Sequence, residues 1–350
     1  MTSRISRTKL MVGAVAVTSL ALAGCGGARS ESPSATGDSA KTYTMKFSFV
    51  TTANTPKGKA ATKFKELLES KSAGKIKVEL FPNSELYGDK DELQALQSNS
   101  VQMLAPASAK FTTIAPELQV LDLPFLFDTL EDIPKIVTKD SKVGKAIFEN
   151  AKLATSNSKV IGLWDNGFKV LTANKELRKP GDTSGLSFRI QPSDVLRSQF
   201  ESWGGKATPM AFSEVYNALQ QGVIDGQENT YSNTASQKMH TVQSNLTETN
   251  HGYIGYVLVV NNTWFKALPA DLQKAVQDAA DEASIYNREV AAEVNAAAKA
   301  EIEKAGKTKI LVPTEAERAA FKAAVVPKVW TQYESVIGKE LIDELLSQQK

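Results

Sequence analysis

The run "YTMKFSFV", Tyr43–Val50, followed by "KGKAATKFKELLESKSAG", Lys57–Gly74, and "KIKVELF", Lys75–Phe81, decides the fold class. The outer two pieces alternate apolar and polar residues, the period of a strand with one buried face. The middle piece sets Phe64, Leu67 and Leu68 at helical spacing and meets a stop at Gly74. Strand, helix, strand in this order opens an α/β sheet.

The same grammar returns outward along the chain. "DKDELQALQSNSVQML", Asp89–Leu104, reads as helix, polar turn and short strand, and "SEVYNALQQGVIDG", Ser213–Gly226, repeats that order around a second Ala-Leu-Gln. Two lobes of one α/β type would produce such a repeat. Between them, "LWDNGFKVLTANKELRKPGDTSGLSFRI", Leu163–Ile190, has strand-like runs broken by Asn-Gly, Pro-Gly and Ser-Gly, so it reads as a crossing region with a lobe boundary near Asn166. After Pro269, the residues Leu272, Val276, Ala279, Ala283, Tyr286, Val290, Val294 and Ala297 step by four and three toward Gly306. That predicts a helix of roughly 50 Å, enough to brace both lobes.

A secretion signal precedes the folded part. Arg4, Arg7 and Lys9 form a basic start, and Leu10–Ala23 is an apolar run too short for a stable membrane span. Residues 1–24 are expected to leave as a signal peptide. "LAGC", Leu22–Cys25, has the form of a bacterial lipoprotein cleavage site, and Cys25 is the only cysteine in the chain. The expectation is lipidation of Cys25, with residues 25–41 forming a flexible leash rich in Gly, Ser, Ala and Pro; an ordinary signal with a chance cysteine is the alternative.

Composition excludes several classes. With 42% hydrophobic and 23% charged residues over 350 positions, the chain can bury cores for two lobes. Loss of Arg4, Arg7 and Lys9 takes the formal charge from +2 to −1, and no basic block remains to track nucleic-acid phosphates. Only His240 and His251 are available, in no metal-ligand spacing, and there is no G-x-S-x-G, G-x-G-x-x-G or P-loop. Catalysis has little to stand on, and neither cofactor nor metal is expected. Asp271, Asp278, Asp281 and Glu282 read as solvated helix residues, whereas Asp225 and Glu228 cluster with Asn229 at a strand end, where loops commonly line sites.

One arginine stands apart. In "GLSFRIQPSD", Gly185–Asp194, Leu186, Phe188 and Ile190 alternate with Ser187, Arg189 and Gln191, so one strand face enters a core while the other presents a guanidinium. Its paired donors match the two oxygens of a carboxylate; a structural salt bridge is the competing role.

The run "SFRIQPSDVLRSQFESWGGKATPMAFSEVYNALQQGVIDGQENTYSNTASQKMHTVQ", Ser187–Gln243, resembles the signature region of the solute-binding proteins of tripartite ATP-independent periplasmic (TRAP) transporters, in particular the C4-dicarboxylate branch. The likeness extends from about Tyr43 to Tyr286 through "FPNSELYGDKDELQALQS", "LDLPFLF", "WDNGFK" and "LPADLQ". It implies an α/β, two-lobed periplasmic-binding-protein-like fold with a long helix spanning both lobes. Residues 42–166 with about 253–295 would form lobe 1, and 167–252 with about 296–350 lobe 2.

The resemblance also implies that Arg189 forms the salt bridge to a ligand carboxylate, Phe212 an apolar wall and Asn229 an amide contact. Phe212 could equally be plain core. Glu228 and His251 match positions that support the site's polar network. Lys169 stands where many relatives carry a second arginine, which would place its charge near a second carboxylate without the bidentate fork. Ala107 replaces the glutamate of the sialic-acid-binding branch, which argues against that ligand.

The resulting expectation is an extracytoplasmic lipoprotein that captures a small organic acid, a C4-dicarboxylate such as succinate, malate or fumarate, and delivers it to TRAP membrane subunits. A ligand-sensing lipoprotein acting with a signalling receptor, and a secreted enzyme acting on an organic acid through Glu228 or His251, are the alternatives.

Overall fold

In the first lobe, alternation becomes strand β1, Tyr43–Ser48, with Met45 and Phe47 buried. Helix α1, Pro56–Lys71, begins where the Thr55 side chain accepts a hydrogen bond from the Gly58 amide and Pro56 supplies a preset φ. Its apolar face carries Ala60, Ala61, Phe64 and Leu68 onto the sheet. Strand β2, Ile76–Phe81, lies parallel to β1; after α2, Glu92–Gln97, the short β3, Met103–Leu104, takes the other side of β1. The structure, a computed structural model, describes residues 41–348; the expected signal peptide, Cys25 and the expected leash up to Ala40 lie outside them.

The chain then runs through β4, Ser158–Phe168, and crosses at Lys169 into β5, Val170–Ala173, of a second sheet. There the first pattern repeats. Strand β6, Ser187–Ile190, is flanked in parallel by β7, Lys206–Pro209, and β8, Gly226–Asn229; α3, Asp194–Trp203, and α4, Val215–Gln220, connect them. Strands β6, β7 and β8 occupy the places of β1, β2 and β3, so the two Ala-Leu-Gln segments end equivalent helices, α2 and α4. Only glycine fits at the start of β8: a Cβ on Gly226 would come within 2.3 Å of the Thr172 carbonyl oxygen and 2.6 Å of the Phe188 ring.

Strand β9, Asn245–Thr247, pairs antiparallel with β5, and β10, Tyr253–Asn261, returns to the first sheet. Helix α5, Ala270–Ala305, follows, then β11, Lys309–Leu311, and α6, Glu315–Gln332. The orders are β2-β1-β3-β10-β4 and β11-β9-β5-β8-β6-β7, with β10 antiparallel to its neighbours in the first sheet and β5 antiparallel to its neighbours in the second. This is the mixed α/β, two-sheet architecture expected.

The two crossings are tied together by the hydrogen bond from the Lys169 amide to the Gly252 carbonyl, 2.8 Å. Near the first crossing, pairing with β10 shifts between Asp165 and Gly167, and the extra residue is Asn166. Such a bulge leaves backbone groups without ladder partners. Helix α5 supplies them: Asn287 Oδ1 accepts from the Asp165 amide at 2.6 Å, and Asn295 Nδ2 donates to the Asn166 carbonyl at 2.7 Å. With 36 residues, about 54 Å at 1.5 Å each, α5 packs Val276 and Ala280 in the first lobe's core and Ala298 and Ile302 against Val170 and Leu246 of the second. Helix α6 reaches both sides through indole donors: Trp203 Nε1 to the Phe321 carbonyl, and Trp330 Nε1 to the Pro124 carbonyl.

Candidate functional site

A narrow cavity opens where the two sheets face each other, with about 330 Å³ of open space, solvent mouth included. From the first lobe it is lined by Lys57, Asp89, Glu92, Lys110 and Tyr256, and from the second by Arg189, Phe212, Asn229 and Asn233. Arg189 reaches it because β6 is an interior strand whose alternation sends Phe188 onto Phe200, ring centroids 4.8 Å apart, and Arg189 to the opposite face. Its Nε and Nη2 both donate to the Met210 carbonyl, at 3.0 and 2.9 Å, which fixes the guanidinium plane. The Phe212 ring centroid lies 5.9 Å from that group, and the residue lines the same cavity. Asn229 Oδ1 accepts from Asn233 Nδ2 and from the Thr230 amide, which orients its Nδ2 donors away from those partners.

Two lysines that the sequence reading did not single out complete the positive set. Lys57, in the first turn of α1, donates to the Ala105 carbonyl at 3.0 Å and sits 3.8 Å from the Tyr256 ring centroid. Lys110 pairs with Asp89 at 2.7 Å. Asp89 also accepts from the Phe212 amide, a contact that joins the lobes. Burial pulls the Lys57 ammonium down to about 8, against the opposing pull of Glu92 and Asp89. Burial also works to raise Asp89, yet Lys110 and Arg189 outweigh it and hold this carboxyl below its ordinary value. Burial and then Asp89 push Glu92 up to about 7. Near neutral pH, three cations therefore face one full and one partial negative charge, a net positive cavity suited to a dianion.

Lys169, Glu228 and His251 form a separate cluster behind this cavity. On β8 the side chains alternate, so Asn229 faces the cavity and Glu228 the other side. Lys169, 1% exposed, does not line the cavity: its Nζ pairs with Glu228 Oε1 at 2.7 Å. The structure thus sets Lys169 against Glu228, whereas Lys57 and Lys110 are the lysines that line the cavity. Glu228 Oε2 accepts from Gln199 Nε2 at 3.2 Å and from His251 Nε2 at 2.8 Å. His251 Nδ1 accepts from the Thr249 hydroxyl at 2.6 Å, so the neutral ring carries its proton on Nε2. Burial lowers the His251 pKa, consistent with that neutral form. Burial opposes ionisation of Glu228, but Lys169 and His251 prevail and hold it at about 2. Asp122 faces the same cluster, accepting from the Ser108 hydroxyl at 3.0 Å, and burial pushes it up to about 6.

Of the residues named from the sequence, Arg189, Phe212 and Asn229 thus meet at one cavity, and Lys169, Glu228 and His251 meet at the crossing. Cys25 lies outside the described residues. Lys110 carried a missed signal, as the one lysine of the otherwise apolar or small-residue segment "APASAKF", whereas Lys57 in "TPKGKAA" stands two positions from Lys59 and nothing local sets it apart. A wider hollow near Phe148, Leu153 and Phe265 shares none of these residues, and its Glu149 and Lys266 are exposed, so it offers no buried charge set. Among the described residues no group of His, Cys, Asp and Glu could hold a metal ion, and no helix is long and apolar enough to cross a membrane.

Two α/β lobes joined by crossing strands around a cation-lined cavity define a solute-binding protein. The family model described as bacterial extracellular solute-binding protein, family 7, matches residues 47–335, and the chain belongs to that family. It is 42% identical to the C4-dicarboxylate-binding periplasmic protein DctP of Rhodobacter capsulatus over 87% of this chain and 90% of that one. Among solved structures, it resembles a TRAP periplasmic solute-binding protein of Shewanella oneidensis with bound succinate: TM-score 0.84, 39% identity, 88% of this chain and 100% of that one. A Pseudomonas aeruginosa counterpart with bound L-malate gives TM-score 0.80 at 39% identity, over 83% and 100% of the two chains.

Proposed function

We propose that this chain is the solute receptor of a TRAP transporter for C4-dicarboxylates. The observation that carries the reading is the convergence of three buried cations, Arg189, Lys57 and Lys110, on one cavity contributed by both lobes. Arg189 takes one carboxylate through its fork, the two lysines balance the other, Asn229 donates an amide and Phe212 closes the apolar side. A dianion in a buried site requires such compensation, which a monocarboxylate would leave in excess. Contacts from both lobes make the ligand favour the closed arrangement. The family is one of transport solute-binding proteins, and the relatives named above carry succinate, malate or a C4-dicarboxylate description.

Calorimetric titration and thermal unfolding with succinate, malate and fumarate, against lactate, pyruvate and sugar acids, test the assignment. A dicarboxylate at a hundredfold excess over its Kd is expected to add about 2.7 kcal/mol to the unfolding free energy. A response to sugar acids alone, with none to C4-dicarboxylates, overturns it.

Residues 42–166 with about 253–295 form the first lobe of this receptor, and 167–252 with about 296–350 the second, a division supported by the sheet crossing at Lys169. The receptor is tethered outside the cytoplasm by a lipid on Cys25, from the form of "LAGC" and the leash that follows. Cys25→Ser protein is then expected in the soluble fraction with unchanged ligand affinity; full membrane retention after a high-salt wash refutes the tether.

A further inference from the structure

Glu92 has no part in the contacts described so far, yet its placement is unusual. It opens α2, is 1% exposed, lines the cavity, and its Oε1 has no hydrogen-bond partner among the described residues. Charged and titratable groups surround it: Asp89 just ahead on its own segment, Lys57 from α1, Lys110 from the turn after β3, Arg189 from β6 and Tyr256 from β10. A buried carboxylate with an unused acceptor oxygen is costly, and a second anion entering the same cavity raises that cost. Protonation removes both penalties and converts the unused acceptor into a donor.

We infer that Glu92 meets the ligand as a neutral carboxylic acid: binding of a dicarboxylate completes the protonation of Glu92 from solvent, and its O–H then donates to a ligand oxygen. This rests on the dicarboxylate reading above. Burial and Asp89 already push the carboxyl up to about 7, and a dianion alongside pushes it further. A group with a higher pKa in the bound state takes up protons on binding, so affinity is greatest below about pH 7 and falls as pH rises above it. Lys57, drawn down to about 8, gains protons by the same logic at higher pH, which confines a clean test to pH 7 and below.

Succinate is titrated calorimetrically at pH 7 in two buffers of different ionisation enthalpy, which yields the protons taken up per ligand. The parent protein is expected to take up about half a proton, because a group with pKa near 7 is half protonated before binding. Glu92→Gln keeps the size and a donor, so it binds within about threefold of the parent while losing most of the uptake. Difference infrared spectra with succinate labelled in its carboxylates show a new protonated-carboxyl band in the parent and none in Glu92→Gln. Succinate binding without proton uptake in the parent overturns the inference alone, as does uptake undiminished in Glu92→Gln, which assigns the proton to Lys57. A folded Glu92→Gln protein weakened more than about tenfold overturns it too, since the anion itself would then be required. Failure of the parent to bind succinate or malate at all removes the dicarboxylate reading together with the inference.

Discussion

Arg189→Ala protein is expected to bind succinate or malate at least roughly thirty-fold more weakly than the parent, a loss of about 2–5 kcal/mol. The guanidinium is buried, with the residue 2% exposed, and its plane is set by two donors to the Met210 carbonyl. A carboxylate enclosed without that partner keeps its desolvation cost and loses its compensation. Arg189→Lys restores charge but not the fork, so it recovers only part of the loss. Titration calorimetry reads the effect, with circular dichroism as the check on folding. Parent-like affinity in folded Arg189→Ala protein takes Arg189 out of the site.

Lys169→Met is expected to act on stability, lowering the unfolding free energy by about 3–5 kcal/mol, the cost of stranding one member of a buried ion pair. Glu228 would keep its burial and lose its 2.7 Å partner, while Gln199 and His251 remain. The sign of the pH dependence follows. The Glu228 carboxyl sits at about 2 against an ordinary 4.5, so its stabilisation is fully present above about 4.5 and drains away as pH falls toward 2. Urea unfolding followed by tryptophan fluorescence should show the parent losing stability across that interval more steeply than Lys169→Met. If Lys169 instead met a ligand carboxylate, the variant would lose dicarboxylate affinity selectively with little change in stability.

The contrast between Arg189 and Lys169 shows what alternation alone can and cannot tell. Arg189 was legible because its strand is short and regular, with Phe188 and Ile190 marking the core face on either side. Lys169 stands between β4 and β5, where the chain leaves one sheet for the other, and no period spans that step. Its partner Glu228 is 59 positions away on β8, and only the antiparallel pairing of β5 with β8 brings them together. Phe212 and Asn229 were placed at the site by family resemblance, and the structure sets both on the cavity wall.

By itself, the sequence determined the two α/β lobes, the repeat around Ala-Leu-Gln and the extent of the long helix, because strand and helix periods and their capping residues act over neighbouring positions. It also determined that residues 47–335 carry one family's pattern. The tertiary structure alone decided which charges share a cavity. Lys57, Glu92, Lys110 and Arg189 come from four elements spread over 133 positions, and their protonation depends on burial and on each other rather than on their neighbours in the chain. Electrostatic energy follows distance through space and loss of water, and neither is written in local periodicity.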